Sequence, residues 1–399
     1  MLGEGTGGNF PASSLEGNII MGNALSELTR WGQSPWYDNI RRDIVRGGRL
    51  AQMVAEDGLR GVTSNPAIFE KAVGESDLYD GAVGDLVRQG VRSVADLYEH
   101  LAIEDIQGAA DVLRPVYDST EGLDGYVSFE VAPDLSADTA GTIAYAKRVH
   151  AWIARPNVLI KVPGTPEGMP AISELIASGI SVNVTLLFSI DAWAACAEAY
   201  LVGLERLHAA GKPLHSVTSV ASFFVSRIDA LIDGWIDQRA GAAGAGGDAL
   251  LALRGKAAVA NAVIAYDRWK TLLAGERWRT LEAAGARHQR LLWASTSTKN
   301  PAYPKGKYVD DLIAPDTVNT IPDETWQYYR EHGQPGAGLA ANWDLTLASA
   351  KKDLAALAES GISLEAATTH LLADGVDKFV KAFGTLLGAV QRKRDALAA

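Results

Sequence analysis

Lys161 stands near the end of an otherwise apolar run, Asn157 Val158 Leu159 Ile160 Lys161 Val162 Pro163 Gly164, which reads as a strand buried on both faces. An ammonium in such a place must be paired or neutralised. Desolvation favours the neutral amine, and a neutral amine attacks a carbonyl to form a Schiff base. The competing reading is a lysine that has reached the rim of the sheet and holds its head in water. Taken alone, the strand allows both.

Other polar residues occupy comparable positions. Thr63 Ser64 Asn65 Pro66 closes one short apolar run and Glu130 closes another. Asn183 and Thr185 lie two apart on a third, so they share a face. Ser222 follows a fourth run with Arg227 close behind, and Ser295 to Lys299 follows a fifth. Each has an ordinary explanation: Asn65 before a proline is a turn former, Glu130 a solvated strand end, Thr185 a common strand residue. Their recurrence at strand ends points instead to one shared mouth.

The elements that would carry them alternate along the chain. Strands are expected at Ser34–Trp36, Gly61–Thr63, Tyr126–Glu130, Val158–Val162, Ser181–Thr185, Val217–Ala221, Leu291–Ala294 and Thr317–Ile321. Helical segments lie between them, including Val94–Val116, Ala137–Ala154, Asp191–Ala210 and Lys256–Leu273. Eight such units predict an α/β fold of the (β/α)8 TIM-barrel type, whose active sites sit on the loops at the strand C-terminal ends. A doubly wound open sheet would give a similar pattern with fewer strands.

Residues 1–22 read as a flexible tail; Gly3, Gly5 and Gly8 have the spacing of a dinucleotide-binding loop but no strand before them. Residues 23–399 form one barrel domain in this reading, with an alanine- and glycine-rich surface insertion near 238–250. Val376, Phe379, Val380, Phe383, Leu387 and Val390 share one helical face, which predicts a capping helix over 374–394 packed on the barrel.

Composition narrows the classes. The chain has 399 residues, 47% of them hydrophobic, enough for a large core. Its net charge of -11 argues against nucleic acid as a partner, though a few local cations suffice for a small anion. No apolar stretch has the length of a membrane span, and the first basic residue is Arg30, so a cytoplasmic protein with no membrane partner is expected. The single cysteine, Cys196, has no disulfide partner within the chain and reads as a core residue. Seven scattered histidines show no metal-ligand spacing, so no metal site is expected.

Five motifs, in order, carry a resemblance. Gly61 to Phe69, Asn157 to Thr165, Ser181 to Ser189, Ser219 to Arg227 and Trp293 to Pro301 resemble the transaldolase family, and more closely its longer bacterial branch, over about Trp36 to Leu387. The resemblance implies a class I aldolase barrel that needs no cofactor. Its activity would be transfer of a dihydroxyacetone unit from sedoheptulose 7-phosphate to glyceraldehyde 3-phosphate, giving erythrose 4-phosphate and fructose 6-phosphate in the non-oxidative pentose phosphate pathway. Its partners would be small sugar phosphates, with monomer and homodimer both open.

The resemblance also implies roles. Lys161 would form the Schiff base, Asp38 would exchange a proton with the C4 hydroxyl, and Glu130 with Thr185 would hold a proton-shuttling water. Asn65, Asn183 and Ser222 would bind the substrate's hydroxyls, Phe224 would wall the pocket, and Arg227 and Lys299 would bind phosphate. Shorter members of the family place an arginine in the loop where this chain offers Lys299. Two alternatives remain: a fructose 6-phosphate aldolase-like enzyme, whose known forms are much shorter and use a tyrosine and a glutamine, and a non-catalytic sugar-phosphate-binding barrel.

Overall fold

The computed structural model describes residues 22–243 and 247–398. The expected tail therefore lies, except for Gly22, outside the described residues. Eight strands form a closed parallel barrel in chain order: β1 (Gln33–Tyr37), β2 (Gly61–Thr63), β3 (Tyr126–Glu130), β4 (Val158–Pro163), β5 (Val182–Leu187), β6 (Ser219–Phe224), β7 (Arg290–Ala294) and β8 (Thr317–Ile321). Every residue of each strand is buried, as expected of parallel strands covered by helices on one face and side chains on the other. The barrel was legible in the sequence, and the open sheet is ruled out because β8 pairs with β1 from Gln33↔Thr317 to Tyr37↔Ile321.

Two strands start later than expected, β5 by one residue and β6 by two. The segment Val217–Ala221 has the apolar content of a strand, yet β6 begins two residues later. Val217 donates its N–H to Leu214 O and closes a turn of 3-10 helix, so it never enters the ladder. The pairs with β7 run instead from Val220↔Arg290 to Phe224↔Ala294. Ser222 consequently sits within the strand, and Phe224 ends it.

The N-terminal end of the barrel is closed by a buried polar network. Arg290, the first residue of β7, donates to Ser34 Oγ at 2.9 Å and to Asp124 Oδ1 at 2.8 Å. Ser34 Oγ in turn donates to Asp124 Oδ2 at 2.8 Å. A buried guanidinium is thus paired and hydrogen-bonded to groups on β1 and just before β3.

The C-terminal helix runs Leu364–Ala398, longer than the expected 374–394. It packs on the helix Pro66–Gly74 after β2, on Asp80–Arg88 and on Val94–Ser119. Phe379 and Val390 of the expected apolar face are buried, but Val380 is 40% exposed, and Leu386 is fully buried in its place. The 100° step per residue explains this, since the true stripe passes through 379, 383, 386 and 390. The expected insertion is helical as far as Ala243 and again over Gly247–Leu251, with 244–246 outside the described residues.

Removing Asp124 would leave Arg290 charged and unpaired in the barrel floor. Asp124→Ala is expected to lower unfolding free energy by about 3–5 kcal/mol, measured by urea denaturation of both proteins.

Candidate active site

At the opposite end, the strand termini surround a cavity of about 240 Å³. Its wall includes Asp38, Asn65, Lys161, Thr185, Ser222, Phe224, Arg227 and Lys299. Eight of the ten residues singled out in the sequence thus line one space.

Lys161 projects into the barrel from β4. It is only 5% exposed, so the rim reading, with the ammonium in water, does not hold. Its Nζ donates to Ser64 O at 3.0 Å and lies 3.1 Å from Glu130 Oε2. Strand register brings the pair together, because Glu130 and Lys161 are ladder partners on β3 and β4. Phe379 comes in from the C-terminal helix, with the Lys161 ammonium 5.9 Å from the centre of its ring.

The approach of Nζ to Glu130 is close but off the hydrogen-bonding angle, and neither carboxylate oxygen has an aligned protein donor. Thr185 Oγ1 is likewise buried without a partner. Such atoms are uncommon in a native interior, and these lie beside Lys161 at the cavity. Burial drives the Glu130 carboxyl up to about 7; the Lys161 charge pulls the other way, and Asp38 adds a little to the rise.

Asp38 follows β1, where its N–H is held by Ile321 O at 2.9 Å. Its carboxylate accepts from Thr63 Oγ1 at 2.6 Å, and Thr63 Oγ1 is also 2.6 Å from Thr320 Oγ1. Burial raises the Asp38 pKa, against the Lys161 charge and the Thr63 hydrogen bond.

Asn65 has two tasks. Its Oδ1 caps the helix Pro66–Gly74 by accepting from Ile68 N at 3.0 Å, so what it offers the cavity is its NH2. Asn183 is the ladder partner of Lys161. It faces the interior on β5, but its Nδ2 donates to Ser128 Oγ at 2.9 Å and its Oδ1 accepts from Ser222 Oγ at 2.6 Å. These two bonds leave Asn183 a second Nδ2–H, and Ser222 reaches the cavity wall. Together Ser128, Asn183 and Ser222 form a polar layer across the barrel.

Arg227 lies near the start of the helix Ser226–Ala243, with its Cζ 5.4 Å from the centre of the Phe224 ring. Burial lowers its pKa, while the Asp374 and Asp38 carboxylates support its charge. Partial burial, then the Arg227 charge, also lower the pKa of Lys299. Two strained residues shape this rim: Leu186 at φ 60° in β5 and Ser295 at φ 56° after β7, both in the left-handed region that costs a branched or substituted residue.

Sequence reasoning assigned no role to Thr63, Thr320, Ser295, Ser297 or Phe379, all in the cavity wall. For Phe379 a signal existed, the apolar helix face, but packing alone accounts for such a face.

The sequence profile of the family described as Transaldolase/Fructose-6-phosphate aldolase matches residues 35–390. The chain belongs to this family. Among curated relatives, the protein named "Transaldolase" from Trichodesmium erythraeum is 44% identical over 375 residues, covering 93% of this chain and 97% of that protein. "Transaldolase 1" of Streptomyces avermitilis is 46% identical over 376 residues, 93% of this chain and 97% of that protein. "Transaldolase" of Thermobifida fusca is 44% identical over 374 residues, covering 94% and 99%. The transaldolase/fructose-6-phosphate aldolase match therefore takes in the barrel from Pro35 of β1 onward and most of the C-terminal helix.

Proposed function

We propose that this chain is a transaldolase acting through a Schiff base on Lys161. The observation that carries this reading is the buried Lys161 amine, set between Glu130 and the Ser64 carbonyl at the floor of the cavity. The near full-length match to proteins named transaldolase supports it.

In this mechanism Glu130 draws the proton from the Lys161 ammonium through a water shared with Thr185, and the amine adds to the ketose carbonyl. Loss of water from the carbinolamine leaves an iminium. Asp38 then takes the proton of the C4 hydroxyl, the C3–C4 bond breaks, and its electron pair passes into the iminium to give an enamine. An aldehyde leaves, an acceptor aldehyde enters, and the enamine carbon attacks it while Asp38 returns the proton. Hydrolysis releases the new ketose. The iminium is its own electron sink, so this chemistry calls for no cofactor.

The Asn65 NH2 and the remaining Nδ2–H of Asn183 bind the dihydroxyacetone hydroxyls, and Ser222 helps position the substrate. Arg227 and Lys299 bind the phosphate, the former by its planar fork. Phe224 walls the pocket. Among the described residues no helix is long and apolar enough to cross a membrane. A cytoplasmic place in the non-oxidative pentose phosphate pathway, on sedoheptulose 7-phosphate and glyceraldehyde 3-phosphate, follows from this reading.

Three outcomes are expected. In a coupled assay, consumption of fructose 6-phosphate should require an acceptor aldehyde; steady release of free dihydroxyacetone without acceptor would make the chain an aldolase. Borohydride with fructose 6-phosphate should leave one dihydroxyacetone-sized adduct, mapped by peptide mass spectrometry to Lys161 and lost in Lys161→Ala, while Asp38→Asn should cut kcat about 10²–10⁴-fold. The third concerns pH. Glu130 must be ionised to accept a proton, and its pKa is raised to about 7, so the rate of adduct formation should climb as pH rises through that value. Glu130→Gln should abolish this limb, measured as trapping rate between acid and mildly alkaline pH.

A further inference from the structure

Arg227 and Lys299 come from different segments, the helix Ser226–Ala243 and the loop between β7 and the helix Lys307–Asp310. Both face the cavity, and the charge of one disfavours the charge of the other. The Lys299 ammonium donates to Ser297 Oγ at 2.6 Å, but the loop that carries both must itself be restrained to keep that charge near the guanidinium. Two buried carboxylates on the Arg227 helix supply that restraint.

Asp233 accepts from Tyr303 OH at 2.5 Å and from Gly255 N at 2.9 Å. Asp229, one turn earlier, accepts from Tyr308 OH at 2.8 Å and from Ala258 N at 2.7 Å. Tyr303 belongs to the Lys299 loop and Tyr308 to the helix that ends it, so the far side of the loop is fastened to the helix that bears Arg227. Gly255 makes room for this: at φ +69° it has no Cβ, and a Cβ there would sit 2.8 Å from Tyr303 Cζ. Between Lys299 and Tyr303 the chain is tightened by Asn300, whose backbone O accepts from Tyr303 N at 3.1 Å and whose Oδ1 accepts from Ala302 N at 3.0 Å. Neither Asp233 nor Tyr303 touches the cavity.

We propose that the Asp233–Tyr303 hydrogen bond is a positioning clamp that sets the spacing of Arg227 and Lys299, and through it the affinity for phosphate. This rests on the reading of those two cations as the phosphate site. The pair touches no reacting atom, so its effect falls on substrate phosphate recognition and leaves bond making and breaking intact.

The test uses the full chain, Tyr303→Phe, Asp233→Asn, Lys299→Ala and the Tyr303→Phe/Lys299→Ala double variant. Inorganic phosphate as a competitive inhibitor, and the KM for fructose 6-phosphate, are measured for each. Tyr303→Phe should raise both constants by roughly tenfold, the scale of one weakened charge-assisted hydrogen bond, with kcat within about twofold of the parent. Turnover of non-phosphorylated fructose as donor should be unchanged. In the double variant, loss of the clamp should add nothing to the loss of Lys299, because the two act on one contact. Asp233→Asn should behave as Tyr303→Phe does. Additive losses, equal losses with fructose, or an unchanged phosphate inhibition constant in Tyr303→Phe would overturn the clamp alone. An unchanged constant in Lys299→Ala would overturn the phosphate site and the clamp with it.

Discussion

The contact between the Lys161 ammonium and the Glu130 carboxylate, both about 5% exposed, is the constraint to which the rest of the barrel answers. Taking each ion out of water costs several kcal/mol, and mutual attraction repays it only when geometry and further hydrogen bonds cooperate. Here the repayment is partial. Strand register places the two side by side, the Ser64 carbonyl takes one ammonium proton, and the Phe379 ring lies within reach of the same charge. Glu130 remains poorly satisfied, and burial lifts its carboxyl into the neutral range.

Buried polar groups occupy both ends of the barrel. At the N-terminal end Arg290, Asp124 and Ser34 bond to one another as a closed set. At the C-terminal end Glu130, Thr185 and Arg227 carry polar atoms with no protein partner, and Leu186 and Ser295 hold strained backbone. Between them, the layer Ser128–Asn183–Ser222 ties β3, β5 and β6 beneath the lysine.

What could be read from the sequence follows from periodicity and from charge out of place. Lys161 and Glu130 were visible because ionisable residues in buried strands contradict their surroundings. Asn183 and Thr185 share a face, but period-two alternation cannot say that Asn183 bonds Ser128 and Ser222 while Thr185 Oγ1 finds no partner. The start of β6 was misplaced because apolar content does not distinguish a ladder residue from Val217, whose N–H closes a turn. Contacts between distant segments were invisible: Phe379 beside Lys161, and Tyr303 on Asp233, exist only because the barrel closes.

That closure has a temporal side. Lys161 is made before half of the chain is complete, β1 waits for β8 before the sheet can shut, and Phe379 arrives later still, on the final helix. A nascent chain held at any earlier point presents its amine beneath an unfinished roof, in water and without its ring neighbour. The surroundings of Lys161 are thus among the last parts of the molecule to be completed, since its ring neighbour comes from the final helix.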